Sequence, residues 1–311
     1  MAELSAAIVG PGNIGTDLMH KIEERGTNID LEAMIGILPV EESDGLQAAR
    51  ERGITVGTDG IDSLVDMAAE IDVVFEATSA SIHEEHAPVY EDHGVFAIDL
   101  TPAAIGPFAV PSVNVGDVVG ETRNVNMITC GGQGTIPIVS AINEVAPVEY
   151  AEIISTIASK SAGPGTRKNI DEFTRTTAAG LERVGGADEG KAIIVLNPAE
   201  PPIRNRNTVY TQIPKGVDLE AVRSAVAAIE SEVRTYVPGY EVTLEPTRKE
   251  DLGVELDGSD VVTTMVEIEG EGHYLPEYAG NLDIMTSAAL GAGERIAERW
   301  DDVAGPSEVA K

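Results

Sequence analysis

The sequence predicts an α/β protein: a doubly wound parallel sheet followed by a second, α+β domain. Three observations predict it. Over the first 130 residues, short apolar runs that are mostly β-branched alternate with helix-like segments. The first of those runs leads into Gly10-Pro11-Gly12-Asn13-Ile14-Gly15, and a helical pattern begins within it. Beyond Cys130 the strand-like runs lengthen and alternate in polarity.

In chain order, the strand candidates of the first part are Ser5–Gly10, Ala33–Leu38, Val73–Ala77, Val95–Asp99 and Val125–Thr129. Such runs suit strands buried on both faces, and repeated strand–helix–strand units suit a parallel sheet. Between the first two, Ile14, Leu18 and Ile22 recur every four residues and define one helix face. In the second part, Glu152–Ala158, Ala192–Leu196, Val209–Ile213, Glu241–Leu244 and Val261–Ile268 read as strands. Asn169–Arg183 and Leu219–Val237 read as helices, the latter with Val222, Val226, Ile229 and Val233 on one face. Loops near Ser161–Gly165 and Pro198–Pro202 are rich in Gly or Pro. Asn281–Trp300 reads as a last helix. The expected division is 1–130, 131–280 and a C-terminal helix, 281–311, returning to the first domain.

The chain has 311 residues, enough for two domains at roughly 100–200 residues each. Its charge is unusual: 53 acidic against 21 basic residues, a net −32, with seven Lys and fourteen Arg. So acidic a surface repels a phosphate backbone and an anionic bilayer, which argues against nucleic-acid and membrane-surface partners. Acidic residues are spread along the chain, as in a halophilic protein whose self-repulsion is muted by concentrated salt. One cysteine excludes an internal disulfide. The N-terminus shows no basic n-region, and no apolar stretch approaches the ~18 residues of a membrane span. The expectation is a cytoplasmic protein.

The glycine loop is Gly-x-Gly-x-x-Gly between a strand and a helix. Gly10 permits the tight turn, Gly12 lets backbone approach a pyrophosphate, and Gly15 allows close helix–strand packing. The helix N-terminus then meets the phosphates. This is the arrangement of a Rossmann-type dinucleotide-binding domain. The acidic residue that grips ribose hydroxyls ~20 residues on is missing. Leu38 stands in its place, with Glu41 and Glu42 following in the loop and no Arg to favour a 2′-phosphate. NAD is preferred and NADP stays open.

The only thiol lies in Asn126-Met-Ile-Thr-Cys130-Gly-Gly-Gln-Gly134, with a helix-like run, Ile138–Val145, following. On a glycine-rich strand-to-helix turn, the helix N-terminus would lower the thiol pKa. The N–H groups of Gly131 and Gly132 could hold an oxyanion. The alternative is a small buried hydrophobe. Nearby charges are less telling. Arg167-Lys168 could meet a phosphate or pair with Asp171 or Glu172. His83-Glu-Glu-His86 has its two His three apart rather than four and no third ligand, so no metal is expected and a partly exposed helix surface is preferred. Pro88 reads as loop punctuation.

Taken together, Ile8–Leu18 (IVGPGNIGTDL), Asp99–Pro107 (DLTPAAIGP), Asn126–Pro137, Ser159–Glu172 (SKSAGPGTRKNIDE), Leu196–Pro202 (LNPAEPP) and Tyr278–Thr286 (YAGNLDIMT) resemble the acylating acetaldehyde dehydrogenases of aromatic meta-cleavage pathways. The halophilic composition would make this an archaeal version. The resemblance implies oxidation of acetaldehyde by NAD⁺ through a thioester on Cys130, with coenzyme A taking the acyl group. It implies dinucleotide contacts from Pro11, Gly12, Asn13 and Ile14, from the loop Ser161, Ala162, Gly163, Pro164, Gly165, Thr166, Arg167, Lys168 and Asn169, and from Asn281. It implies a second domain that is both catalytic and dimerising, and a homodimer joined to a 4-hydroxy-2-oxovalerate aldolase in a hetero-oligomer. Two positions depart. Asn207, in Arg206-Asn207-Thr208, replaces the family's acidic residue beside the catalytic thiol, and it cannot act as a base. Leu38 replaces an acidic residue in a Gly-x-Asp-Pro pattern. Two rivals remain: a phosphorylating semialdehyde or acyl-phosphate reductase, and a non-catalytic dinucleotide-binding partner of the aldolase.

Overall fold

A computed structural model describes residues 3–25, 27–120, 122–163, 167, 170–248, 258–300 and 303. The chain divides into two compact units, residues 1–127 with 286–311 and residues 128–285.

Unit 1 runs β1 (Leu4–Val9), α1 (Asn13–Arg25), β2 (Ile29–Ile35), α2 (Asp44–Glu51), β3 (Thr55–Gly57), α3 (Ile61–Val65), β4 (Val73–Glu76), α4 (Ala80–His93), β5 (Phe96–Asp99), α5 (Val115–Val118) and β6 (Asn124–Asn126). Its strands are all parallel, in the order β3-β2-β1-β4-β5-β6. Strand order reverses between β1 and β4, the position where open α/β sheets bind ligands outside the strands' carboxyl ends. All residues of β4 and β5 are buried, which is why those strands read as continuous apolar runs rather than alternating ones. Ala7, Val9, Ala33, Ile35, Val74 and Ala97 share one core cluster with Leu64 and Tyr90.

Two local expectations change. The second strand is Ile29–Ile35 rather than Ala33–Leu38. Its first half alternates exposed Asp30 and Glu32 with buried Ile29 and Leu31, so the apolar run marked only its end. Ile37 and Leu38 lie beyond it, 80% and 48% exposed. Pro88 lies inside α4, not in a loop. Its ring is on the exposed face, where the carbonyl that loses its helical donor can turn to water.

Unit 2 holds α6 (Cys130–Val145), β7 (Tyr150–Ala158), α7 (Ile170–Arg183), β8 (Gly190–Asn197), β9 (Asn205–Pro214), α8 (Leu219–Val233), β10 (Tyr240–Arg248) and β11 (Ser259–Ile268). The sheet order is β10-β11-β9-β7-β8, with β7 and β8 parallel and the other pairs antiparallel. α6 packs on β7, β9 and β11 and also touches α7 and α8. It is buried almost all round over Gly131–Val139, as a central helix must be. α8 turns Val222, Val226 and Val233 inward. A last helix, α9 (Gly280–Glu298), carries the chain from unit 2 back into unit 1.

Candidate active site

The inner face of the second sheet is apolar at one end and polar at the other. β9 turns Asn205, Asn207, Val209, Thr211 and Ile213 inward on its buried phase. Ser155 of β7 stands opposite Asn207, whose other neighbour is Val266 of β11, and Ile268 stands opposite Asn205. Ser155, Asn205 and Asn207 are wholly buried, and neither the serine hydroxyl nor any amide atom of the two asparagines has a protein partner. Buried polar groups are ordinarily satisfied. Three of them together in an apolar phase mark a floor built to meet water or a reacting group.

The second turn of α6, at Gly134, lies over that floor. A Cβ added at Gly134 would sit 3.4 Å from Nδ2 of Asn207 and 3.1 Å from the Ile268 side chain, so the glycine permits the close approach. Tyr240, buried on β10, donates its hydroxyl to the Gly134 carbonyl at 2.9 Å and ties the turn down.

Cys130 is the first residue of α6, and Thr129 is its N-cap. The helix therefore begins eight residues earlier than the apolar run at Ile138 suggests, because Gly131, Gly132 and Gly134 hide the pattern. Thr129 Oγ1 accepts from the N–H of Gly132 at 2.9 Å and lies 2.6 Å from Oγ1 of Thr177. Thr177 donates its own proton to the Phe173 carbonyl at 2.7 Å, so Thr129 donates to Thr177. This corrects the expected oxyanion donors: the Gly132 N–H is occupied by the cap, and the N–H groups of Cys130 and Gly131 face the sulfur. Just before the cap, Ile128 has φ +64°. A β-branched residue there is strained by roughly 1–3 kcal/mol, the kind of cost that collects at functional sites.

The thiol's pKa is also corrected. Burial pushes it up to about 11, and the N–H groups of Gly131 and Cys130 only partly offset that. Among the described residues no charged side chain is among the groups that shift it.

The remaining expected residues fall in two places. The glycine loop belongs to unit 1. Gly10 has φ +105°, and a Cβ there would meet the Ala77 carbonyl oxygen at 2.6 Å. One on Gly15 would run into the Gly10 carbonyl, whereas nothing lies within 4 Å of one on Gly12. The loop is closed on two sides and open on the side a pyrophosphate would approach, so it fits a dinucleotide. Glu41, in the loop after β2, is taken by Arg50 at 3.2 Å.

Ser161, Ala162, Gly163, Arg167 and Asn281 belong to unit 2, as Cys130 and Asn207 do. Asn281 is buried, its Nδ2 donating weakly to the Ser161 carbonyl at 3.4 Å while its Oδ1 lacks a partner. Arg167 meets neither a carboxylate nor open solvent alone: Nε donates to the Ala162 carbonyl at 3.1 Å, and Nη2 donates to the Ser159 carbonyl at 2.7 Å and hydroxyl at 2.8 Å. Pro164, Gly165, Thr166, Lys168 and Asn169 lie outside the described residues.

Sequence reasoning passed over Ser155, Asn205 and Tyr240. The signal for the first two was present, as polar residues on the inward phase of alternating strands. It also placed His83 on a partly exposed helix surface, but His83 is wholly buried, facing Glu76 and Asp99. Among the described residues no group of His, Cys, Asp and Glu is arranged to hold a metal ion.

Comparison with known proteins agrees with this geometry. The model of the prokaryotic acetaldehyde dehydrogenase dimerisation domain matches residues 130–276, which begin at the thiol. An acetaldehyde dehydrogenase of Bacillus cereus is 54% identical over 297 residues, 96% of this chain and 95% of the relative. Those of Geobacillus stearothermophilus and Carboxydothermus hydrogenoformans are 53% and 50% identical, covering 96% of this chain and 97% and 94% of the relatives. Among solved structures, aspartate semialdehyde dehydrogenase II of Vibrio cholerae superposes with a TM-score of 0.61 over 96% of this chain and 99% of that one. At 13% identity that likeness speaks for the fold alone. Relatives sharing about half their residues with this chain thus match it over nearly its full length, and the chain belongs to the acetaldehyde dehydrogenase family.

Proposed function

We propose that the chain oxidises acetaldehyde to an acyl thioester on Cys130, with NAD as hydride acceptor, and passes the acyl group to coenzyme A. The observation that carries this is the position of Cys130: the first residue of a buried helix, with two backbone N–H groups at its sulfur and, one turn along the same helix, Gly134 close against the Asn207 amide. Pro11, Gly12, Asn13 and Ile14 would hold the dinucleotide, with Gly10 and Gly15 shaping the loop. Residues 161–169 and Asn281 would also contact it.

The Cys130 thiol gives up its proton, and the sulfur forms a bond to the aldehyde carbon. The N–H groups of Gly131 and Cys130 stabilise the oxygen that gains charge. When bound, the dinucleotide supplies the acceptor for the hydride lost from that carbon. The carbonyl re-forms as a thioester, and the sulfur of coenzyme A then attacks it while the Cys130–carbon bond breaks. Asn207 takes no proton in this sequence. It can donate and accept hydrogen bonds, so it orients water or substrate, and the thiol proton leaves to water.

We further propose that residues 131–280 form the catalytic and dimerising domain of a cytoplasmic homodimer, with helix 281–311 returning to the dinucleotide domain. An aldolase partner that makes acetaldehyde would suit a volatile, reactive substrate. Passing the acyl group to phosphate instead would call for cations at the thiol, and among the described residues none shifts it. Among the described residues no helix is long and apolar enough to cross a membrane.

The test is NADH formation by the purified protein in concentrated salt with acetaldehyde, NAD⁺ and coenzyme A. Turnover should require both coenzyme A and Cys130 and vanish in Cys130→Ala. Absence of turnover in the folded protein, with NADP⁺ and phosphate also supplied, would favour a non-catalytic partner subunit.

A further inference from the structure

Glu76 ends β4, at the reversal of strand order, and its side chain is wholly buried. Both carboxylate oxygens are filled. Oε1 accepts from the N–H of Thr78 at 3.1 Å and from its hydroxyl at 2.5 Å. Oε2 accepts from the Tyr90 hydroxyl at 2.6 Å and from Nδ1 of His86 at 2.8 Å. Only an ionised carboxylate can accept four such bonds. Burial works to raise the Glu76 pKa, but His83, at 3.9 Å, and the donors from His86, Thr78 and Tyr90 outweigh it and hold the group at about 2.

A buried negative charge at this edge is unfavourable for a site that takes phosphates, so its presence needs a reason. The reason lies one residue on. The paired bonds to Thr78 close the turn Glu76-Ala77-Thr78. That turn is the wall against which the glycine loop is built: the Ala77 carbonyl oxygen and the Thr78 nitrogen would lie 2.6 and 3.0 Å from a Cβ on Gly10. The Ala77 N–H also donates to the Val9 carbonyl at 2.8 Å, the last residue before the loop. Tyr90 and His86 hold the far side of the carboxylate from α4.

We propose that Glu76 is a positioning residue for the dinucleotide, clamping the Ala77–Thr78 turn against Gly10 and so fixing the loop that receives the pyrophosphate. This rests on the reading of Gly10–Gly15 as a dinucleotide loop. The substitution Glu76→Gln tests it sharply. An amide has one accepting oxygen and one donating nitrogen, so it can satisfy the Thr78 donors or the Tyr90 and His86 donors, not both.

The experiment is a fluorescence titration of NADH into the full-length protein in concentrated salt, with steady-state kinetics alongside. Glu76→Gln and Thr78→Val should each weaken NADH binding about tenfold. Thr78→Ser, which keeps the hydroxyl, should stay within about twofold of the unmodified protein. In the kinetics KM for NAD⁺ should rise, while kcat at saturating NAD⁺ and KM for acetaldehyde change little. A merely structural carboxylate would not split the parameters in this way. A folded Glu76→Gln protein with unchanged NADH affinity overturns the proposal alone. If Glu76→Gln does not fold, equal affinities of Thr78→Val and Thr78→Ser overturn it. Failure of the unmodified protein to bind NADH or NADPH overturns the dinucleotide reading, and this proposal with it.

Discussion

At Cys130 two effects of known sign compete. N–H groups at a helix N-terminus favour the thiolate, and burial favours the thiol. Burial wins, which places the thiol at about 11. The consequence is measurable. A group that titrates near 11 gains thiolate about tenfold per pH unit through the neutral range. Iodoacetamide labelling of Cys130 should therefore accelerate about tenfold per unit from pH 7 to pH 10 in the dinucleotide-free protein. A plateau below pH 8 would show a cation or base at the sulfur beyond those among the described residues. Asn207 is consistent with this picture. It offers hydrogen bonds without charge, and among the described residues no base shifts the thiol.

At the scale of the element, α6 depends on its cap. Thr129 gives the helix its first side-chain bond, holds Thr177 of α7, and leaves the N–H groups beyond it free for the thiol. Thr129→Val keeps the shape and removes both bonds, leaving the Gly132 N–H buried without an acceptor. Losing a cap costs about 1 kcal/mol, and orphaning a buried donor costs about 1–3 kcal/mol. At roughly 2–4 °C per kcal/mol for a domain of this size, thermal denaturation in concentrated salt should show a Tm lower by several degrees. Thr129→Ser should recover most of it. An unchanged Tm in Thr129→Val would mean the cap contributes nothing.

At the scale of the whole molecule, charge dominates. A net −32 on 311 residues is self-repulsion that the fold carries everywhere on its surface. The Debye length falls from about 30 Å at 0.01 M salt to about 3 Å at 1 M, so salt decides how much of that repulsion is felt. Dialysis from molar to ten-millimolar salt should lower the Tm and, at the limit, unfold the chain, read by circular dichroism. Equal stability at both salts would remove the halophilic reading and leave an acidic protein of ordinary habits.

The sequence by itself determined the class of fold, the glycine loop and the single thiol that we propose as nucleophile. Each is local: a period of burial along a strand, a turn that only glycine can make, one sulfur among 311 residues. Strand ends were less legible, because β2 begins with charged residues on an exposed phase and β3 is three residues long. The tertiary structure decided what the polar residues do. Ser155 lies about fifty residues before Asn205 and Asn207 in the chain, and the three meet only because β7 and β9 pair in one register. His83 and His86 read as surface, yet the packing of α4 on the sheet turns His83 inward and brings His86 onto the Glu76 carboxylate. Likewise the pKa of Cys130 follows from how much water the folded chain excludes, a quantity that no short stretch of sequence contains.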